Sequence, residues 1–270
     1  MRVIAMIGLA AAALSSVTTA LEAQRTDEEW LDRCRSGDYN DSNRERYCLV
    51  TVERFRSTGS LTVDGHRNGA VSVYGWDGDS IVVHARVQAS ARTESAARDL
   101  AENVRITVDG SRVSAEGPST EGREWWSVNF EIGVPRRTDL ELEVYNGPLG
   151  VEDVSGRINL TSRNGPLSLD GVSGDVTARV RNGPLSVYLT GSRWEGAGLD
   201  AESTNGPATI SIPARYSARL ETGTTNGPMV IDYPLTLQGR IDRHISTTLG
   251  DGGATVRVVT TNGPLRVKQQ

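Results

Sequence analysis

Through most of the chain, apolar and polar residues alternate over short stretches, and the alternation restarts at nearly constant intervals. Leu140-x-Leu142-x-Val144 is matched by Ile158-x-Leu160-x-Ser162 and then by Val176-x-Ala178-x-Val180. A period of two predicts strands with one buried face. Each stretch runs into the tripeptide Asn-Gly-Pro, which begins at Asn146, Asn164, Asn182, Asn205, Asn226 and Asn262, with an earlier relative at Asn68-Gly69-Ala70. The intervals between the six copies are 18, 18, 23, 21 and 36 residues, the last being twice 18. Beyond each corner a second short alternation follows: Leu149/Val151, Leu167/Leu169, Leu185/Val187, Ala208/Ile210, Met229/Ile231 and Leu265/Val267.

The corner has a physical reading. Asn tolerates a left-handed backbone, and Gly adopts it without steric cost. Pro then fixes φ at a position that opens a strand. A second corner recurs at Val154-Ser155-Gly156 and Val172-Ser173-Gly174. Each unit is therefore corner, strand, corner, strand. Two topologies fit. One is a parallel β-solenoid whose coils of about 18 residues rise about 4.8 Å each. The other is a meander of hairpins, since Asn-Gly is also a favoured hairpin turn. The solenoid is preferred, because Pro after Asn-Gly would remove a donor from a hairpin ladder. In a solenoid, by contrast, Asn68, Asn146, Asn164, Asn182, Asn205, Asn226 and Asn262 would stack as an amide ladder. Ordering one unit costs at least what its few inward side chains return, so stacking must supply the stability.

The start of the chain differs. Thr93–Asn103 predicts a helix, with Thr93 as N-cap and Ala96, Ala97, Leu100, Ala101 and Val104 on one face. Strands are expected at Val104–Val108, Arg112–Ala115 and Ser127–Val134. The helix reads as a cover over an end or flank of the sheet. The fold class expected is all-β, a parallel β-solenoid with one short covering helix.

Composition narrows the chemistry. Of 270 residues, 37% are hydrophobic but only 5% aromatic, with 2 Phe, so Val, Leu, Ile and Ala must build the core. The 29 Lys and Arg against 34 Asp and Glu leave a net charge of −5 without a basic cluster, which argues against a nucleic-acid binder. Two Cys and 3 His leave little room for a zinc site or a thiol enzyme, and neither cofactor nor metal is expected. Residues 1–23 read as a signal peptide: Arg2, an apolar run from Val3 to Leu14, then small residues, with cleavage after Ala20 or Ala23. Export to the periplasm, cell surface or medium follows, without a transmembrane anchor after cleavage. In that oxidising setting Cys34 and Cys48 are predicted to pair, tying segment 24–49.

The catalytic signals are thin. His66, His84 and His244 are scattered and read as surface or strand-end residues. Glu152 and Asp170 occupy equivalent positions one unit apart, a spacing that suits a retaining glycosidase pair, but no further acids converge on them. Asp38-x-Asn40-x-Ser42 lacks the Gly and Glu of a calcium loop, and Asp251-Gly252-Gly253 is no stronger. Trp76, Trp125 and Trp126 are candidate exposed aromatic contacts. The Trp125-Trp126 pair stands out, because consecutive strand residues face opposite sides.

The recurrent Thr-x-Asn-Gly-x-Leu-x-Val unit, clearest at Ser203–Pro207 and Thr260–Val267, resembles the bacterial putative-adhesin family of exported β-strand-repeat domains. So do the order of strands, helix and repeats and the stretch Leu249–Ala254. The resemblance covers about residues 50–268, with the repeats clearest over 139–268. It implies a β-solenoid outside the cytoplasm and supplies no catalytic residues. The function expected is a non-enzymatic binding or scaffold protein of the envelope, with an unidentified protein or glycan partner. The alternatives are a polysaccharide-cleaving enzyme and an envelope-stress module that binds another protein.

Overall fold

The computed structural model describes residues 27–36, 44–65, 68–235 and 243–270. The proposed signal peptide and the Asp38–Ser42 motif lie outside the described residues, as does His66. The chain is mostly β, arranged in two large sheets.

A first helix, α1, spans residues 27–36. The strands of the first sheet, in spatial order, are β1 (Glu45–Arg56), β4 (Ser80–Ala91), β7 (Trp125–Pro135), β3 (Val71–Trp76), β9 (Leu149–Glu152), β11 (Leu167–Asp170), β13 (Leu185–Tyr188), β15 (Ala208–Ile212), β20 (Leu265–Gln269) and β17 (Met229–Asp232). Those of the second are β18 (His244–Leu249), β16 (Ala218–Asn226), β19 (Thr255–Asn262), β14 (Gly198–Asn205), β12 (Ser173–Asn182), β10 (Ser155–Asn164), β8 (Asp139–Asn146), β2 (Ser60–Asp64), β6 (Arg112–Glu116) and β5 (Arg105–Asp109). The helix α2 (Glu94–Glu102) follows β4.

Each repeat unit places one strand in each sheet. Its longer strand joins the second sheet, Asn-Gly-Pro turns the chain, and its shorter strand joins the first. Units pair in parallel and in register: Leu140, Ile158 and Val176 lie side by side, as do Leu149, Leu167 and Leu185. Inward side chains from both sheets form one continuous apolar core.

Two features depart from a uniform parallel stack. First, the sheets are mixed. β1 pairs antiparallel with β4, β4 with β7, β16 with β18 and β5 with β6. Between β3 and β4 the chain turns back at residues 77–79 without crossing to the second sheet, so β4 runs opposite to β3 and to the β7 strand that lies between them. Second, spatial order is not chain order at the far end. β19 lies between β14 and β16, and β20 lies between β15 and β17, so the last unit is inserted next to last.

The two helices cover opposite faces of the same strands. Thr93 caps α2, its hydroxyl accepting from the Ala96 amide at 3.2 Å, and Ala97, Leu100 and Ala101 are buried. Leu100 and Ala101 join the core on the inner side of β1 and β4. The other helix, α1, lies against the outer side, tied there by a Cys34–Cys48 disulfide with a Cα–Cα distance of 6.4 Å.

Candidate functional site

The corner residues form a continuous hydrogen-bonded row. Asn146 Nδ2 donates to Asn68 Oδ1 at 3.1 Å, Asn164 to Asn146 at 2.9 Å, Asn182 to Asn164 at 2.8 Å and Asn205 to Asn182 at 2.9 Å. Asn262 then donates to Asn205 at 2.8 Å and Asn226 to Asn262 at 2.9 Å, following the exchanged order of the last two units. Beside this row the Gly amides donate to the Asn carbonyls of the neighbouring units. The Gly165 amide donates to Asn182 O and the Leu167 amide to Pro184 O, so the intervening Pro forfeits no ladder bond. The residue two before Asn is a buried hydroxyl in four units, and it donates to a Gly carbonyl: Ser162, Ser203, Thr224 and Thr260. Ser162, which interrupts an apolar pattern in the sequence, is thereby satisfied inside the core edge.

Breaking the row at its middle gives a measurable result. Asn164→Ala removes one bond donated and one accepted, each worth about 1 kcal/mol net. For a chain of this size that lowers the melting temperature by about 4–8 °C, read by calorimetry. An unchanged melting temperature with the fold intact would refute the stabilising role of the row.

The row runs in one direction, so its ends differ. Asn68 ends it with an Nδ2 that has no acceptor among the described residues. Next to it, Asn68, Gly69, Ala70, Trp125, Ser127, Asn129, Gly147 and Pro148 line a shallow depression of about 330 Å³. The Asn129 amide oxygen accepts from the Ala70 backbone at 2.9 Å and holds the floor in place. Trp125 is 37% exposed, a large apolar surface left in water. Trp126, its neighbour, turns the other way, packs against the core and donates its indole N–H to Pro118 O at 2.9 Å. Trp76 is half-buried, donates to Ser80 O at 3.0 Å and lies under the Arg54 guanidinium. Of the three tryptophans singled out above, only Trp125 presents an open ring beside polar groups. Trp194 is a core plug, its indole bonded to Gly174 O.

The remaining candidates fall elsewhere. Glu152 and Asp170 are register partners on the outer face of the first sheet, exposed, in a row that continues to Tyr74 and Tyr188. Neither lines a described depression. His244 is exposed at the start of β18. Asp251 sits in the turn between β18 and β19. Among the described residues no group of three or more His, Cys, Asp or Glu is placed to hold a metal, and no helix is long and apolar enough to cross a membrane.

His84 overturns its expected surface position. It is buried on the outer side of β4, where Nδ1 lies 2.6 Å from Asp27 Oδ2 at the start of α1. Asp27 also accepts from Arg86 Nε at 2.8 Å, and Arg86 reaches Glu131 at 2.7 Å. Burial, with Glu131 and Asp27 close by, pushes the neighbouring Tyr74 phenol above its ordinary range. The cluster buries charges that look solvated in the sequence, because their cover arrives from a segment far away in the chain.

Three solved structures are similar in outline. One is a putative cell adhesion protein from Clostridium sporogenes, 10% identical, covering 83% of this chain and all of its own, with a TM-score of 0.36. Another is a putative adhesin from Bacteroides fragilis, 11% identical, covering 82% of this chain and 97% of its own, with a TM-score of 0.30. A third, from Parabacteroides distasonis, is 10% identical, covers 81% and 97%, and has a TM-score of 0.26. Likeness at this level carries no argument about function. No curated protein matches the sequence. The model of the Toastrack DUF4097 family matches residues 50–268, all the strands from the middle of β1 to the last residues of β20, and by that match the chain belongs to this family.

Proposed function

We propose that this chain is an exported, non-enzymatic binding or scaffold protein of the cell envelope. Its two sheets would act as a short, rigid β-solenoid, and its ligand would be a glycan held at the Trp125 depression. The observation that carries this reading is the open Trp125 ring beside the exposed Asn68 amide. An aromatic face with amide and hydroxyl groups at its rim matches a sugar, which has an apolar C–H face and a polar edge.

The test is sedimentation of the protein with purified bacterial envelopes and sacculi, with reducing ends measured in the supernatant. Saturable pelleting without sugar release is expected. Trp125→Ala should weaken it about tenfold, equivalent to about 1.4 kcal/mol of ring contact, while Trp76→Ala leaves it unchanged. Equal pelleting by Trp125→Ala would sink the Trp125 site. New reducing ends would overturn the non-enzymatic reading and direct attention to Glu152 and Asp170.

A further inference from the structure

On the outer face of the second sheet, side chains stand in rows across the strands, about 4.8 Å apart. Several charged rows alternate in sign. Arg157 lies between Asp139 and Asp175, and Arg257 lies between Asp200 and Glu221. Arg179 and Arg257 both donate to Asp200, and these bonds outweigh its burial and hold the carboxyl below its ordinary range.

Arg163 and Arg181 break the pattern. Each precedes a ladder asparagine, and Asn164 and Asn182 are register partners, so two guanidinium groups occupy adjoining rungs with no acid between them. Like charges directly opposite one another destabilise a sheet. Arg163 is 3.7 Å from Glu143 and lies over the Tyr145 ring at 5.3 Å. Arg181 is exposed and makes no ion pair among the described residues. Around the two opens a depression of about 340 Å³, also lined by Thr161, Arg179, Glu202 and Thr204. Within it Arg179 is committed to Asp200, and Glu202 faces Arg257 at 3.4 Å. The groups left for a ligand are the Arg181 guanidinium, the Arg163 guanidinium, held only by its exposed 3.7 Å contact with Glu143, and the two threonine hydroxyls. Glu143 offsets the charge of Arg163, but no acid among the described residues pairs with Arg181, and an arrangement that violates a stability rule with incomplete compensation marks a position kept for another use.

We propose that this depression is an oxyanion site, taking a carboxylate, sulfate or phosphate group carried on an extended polysaccharide. An oxyanion between the two guanidiniums converts their repulsion into charge-assisted hydrogen bonds. A net charge of −5 opposes a densely charged polymer such as nucleic acid. Two arginines instead suit a glycan with one charged group every few sugars. The site does not require the Trp125 depression and is tested separately from it.

The experiment is calorimetric titration of the full chain at low salt with carboxymethylated, sulfated and phosphorylated dextrans, each substituted only once every few sugars, and with uncharged dextran and duplex DNA. At least one charged glycan should bind and uncharged dextran should not, and the polymer that binds identifies the oxyanion. The Arg163→Gln/Arg181→Gln double variant should lose about tenfold or more in affinity, as expected for the loss of one to two charge-assisted bonds. Arg157→Gln, outside the depression, should stay within about twofold, less than half a kcal/mol. Arg181→Gln should melt no lower than the unsubstituted chain, because its removal relieves repulsion. The proposal is overturned if no charged glycan binds, if the double variant binds as tightly as the unsubstituted chain, or if DNA or uncharged dextran binds as well as the charged glycans.

Discussion

Gly165→Ala is expected to cost about 4 kcal/mol or more and to lower the melting temperature by about 10 °C. Two causes act together. The Gly165 backbone has φ +147°, a region that side chains with a Cβ rarely enter. An added Cβ would also lie 2.1 Å from the Gly147 carbonyl oxygen of the neighbouring unit. That oxygen is held in the stack and has nowhere to retreat without parting two units. Gly191→Ala separates the two causes. Gly191 has φ +74° but no atom within 4 Å of the added Cβ, so only backbone strain of about 1 kcal/mol is expected. Calorimetry on both variants reads the difference. Equal, small shifts would mean that the corners tolerate separation, and that close stacking of glycines is not what holds the units together.

The second large effect is expected from Asp27→Ala. The carboxylate is shared by His84 and Arg86, and all three side chains are mostly buried between α1 and the outer face of β4. Removing one partner of a buried charge pair costs about 3–5 kcal/mol, because the other charge stays out of water without its counterion. Arg86 keeps Glu131 at 2.7 Å, which places this case near the lower figure. Reduced thermal stability should be accompanied by loss of hydrogen-exchange protection along β1 and β4, where α1 lifts away. The Cys34–Cys48 bond still tethers α1, so the helix is loosened rather than lost. Asp27→Asn keeps one hydrogen-bond acceptor and should fall between the two. If Asp27→Ala melts with the unsubstituted chain and protects β4 equally, the buried pair contributes nothing and α1 is held by the disulfide alone.

The parts of this fold that were legible in the sequence are those specified locally. The alternation around each Asn-Gly-Pro identifies both strands of a unit and their inward residues, because side-chain period and corner chemistry are properties of a few consecutive residues. The helix α2 carries its own cap in Thr93 and its own apolar face. The mixed character of the sheets was not legible. Whether β1, β4 and β7 pair antiparallel depends on how the chain returns between them, not on their composition. The exchange of the last two units was equally hidden. Leu199, Val256 and Leu220 present the same kind of inward side chain at the same register, so pattern alone does not say which is whose neighbour. The burial of His84 is hidden for a related reason. A histidine on the outer side of a strand is solvated unless something covers it, and the cover is a helix some 50 residues earlier. The depressions at Trp125 and Arg181 arise where separate units meet. Trp125 could be singled out from the doubled tryptophan, whereas Arg181 acquires meaning only beside Arg163.

The exchanged order of the final units bears on how the protein is made. Residues 255–269 are synthesised after both of the units that flank them, yet they occupy the position between, with 198–212 on one side and 218–232 on the other. Until they arrive, those two units have no template between them and cannot meet in the native arrangement. The stack therefore cannot grow to completion from its N-terminal end as the chain emerges. Closure waits for residues 255–269, and a nascent chain remains open at that place until they are released.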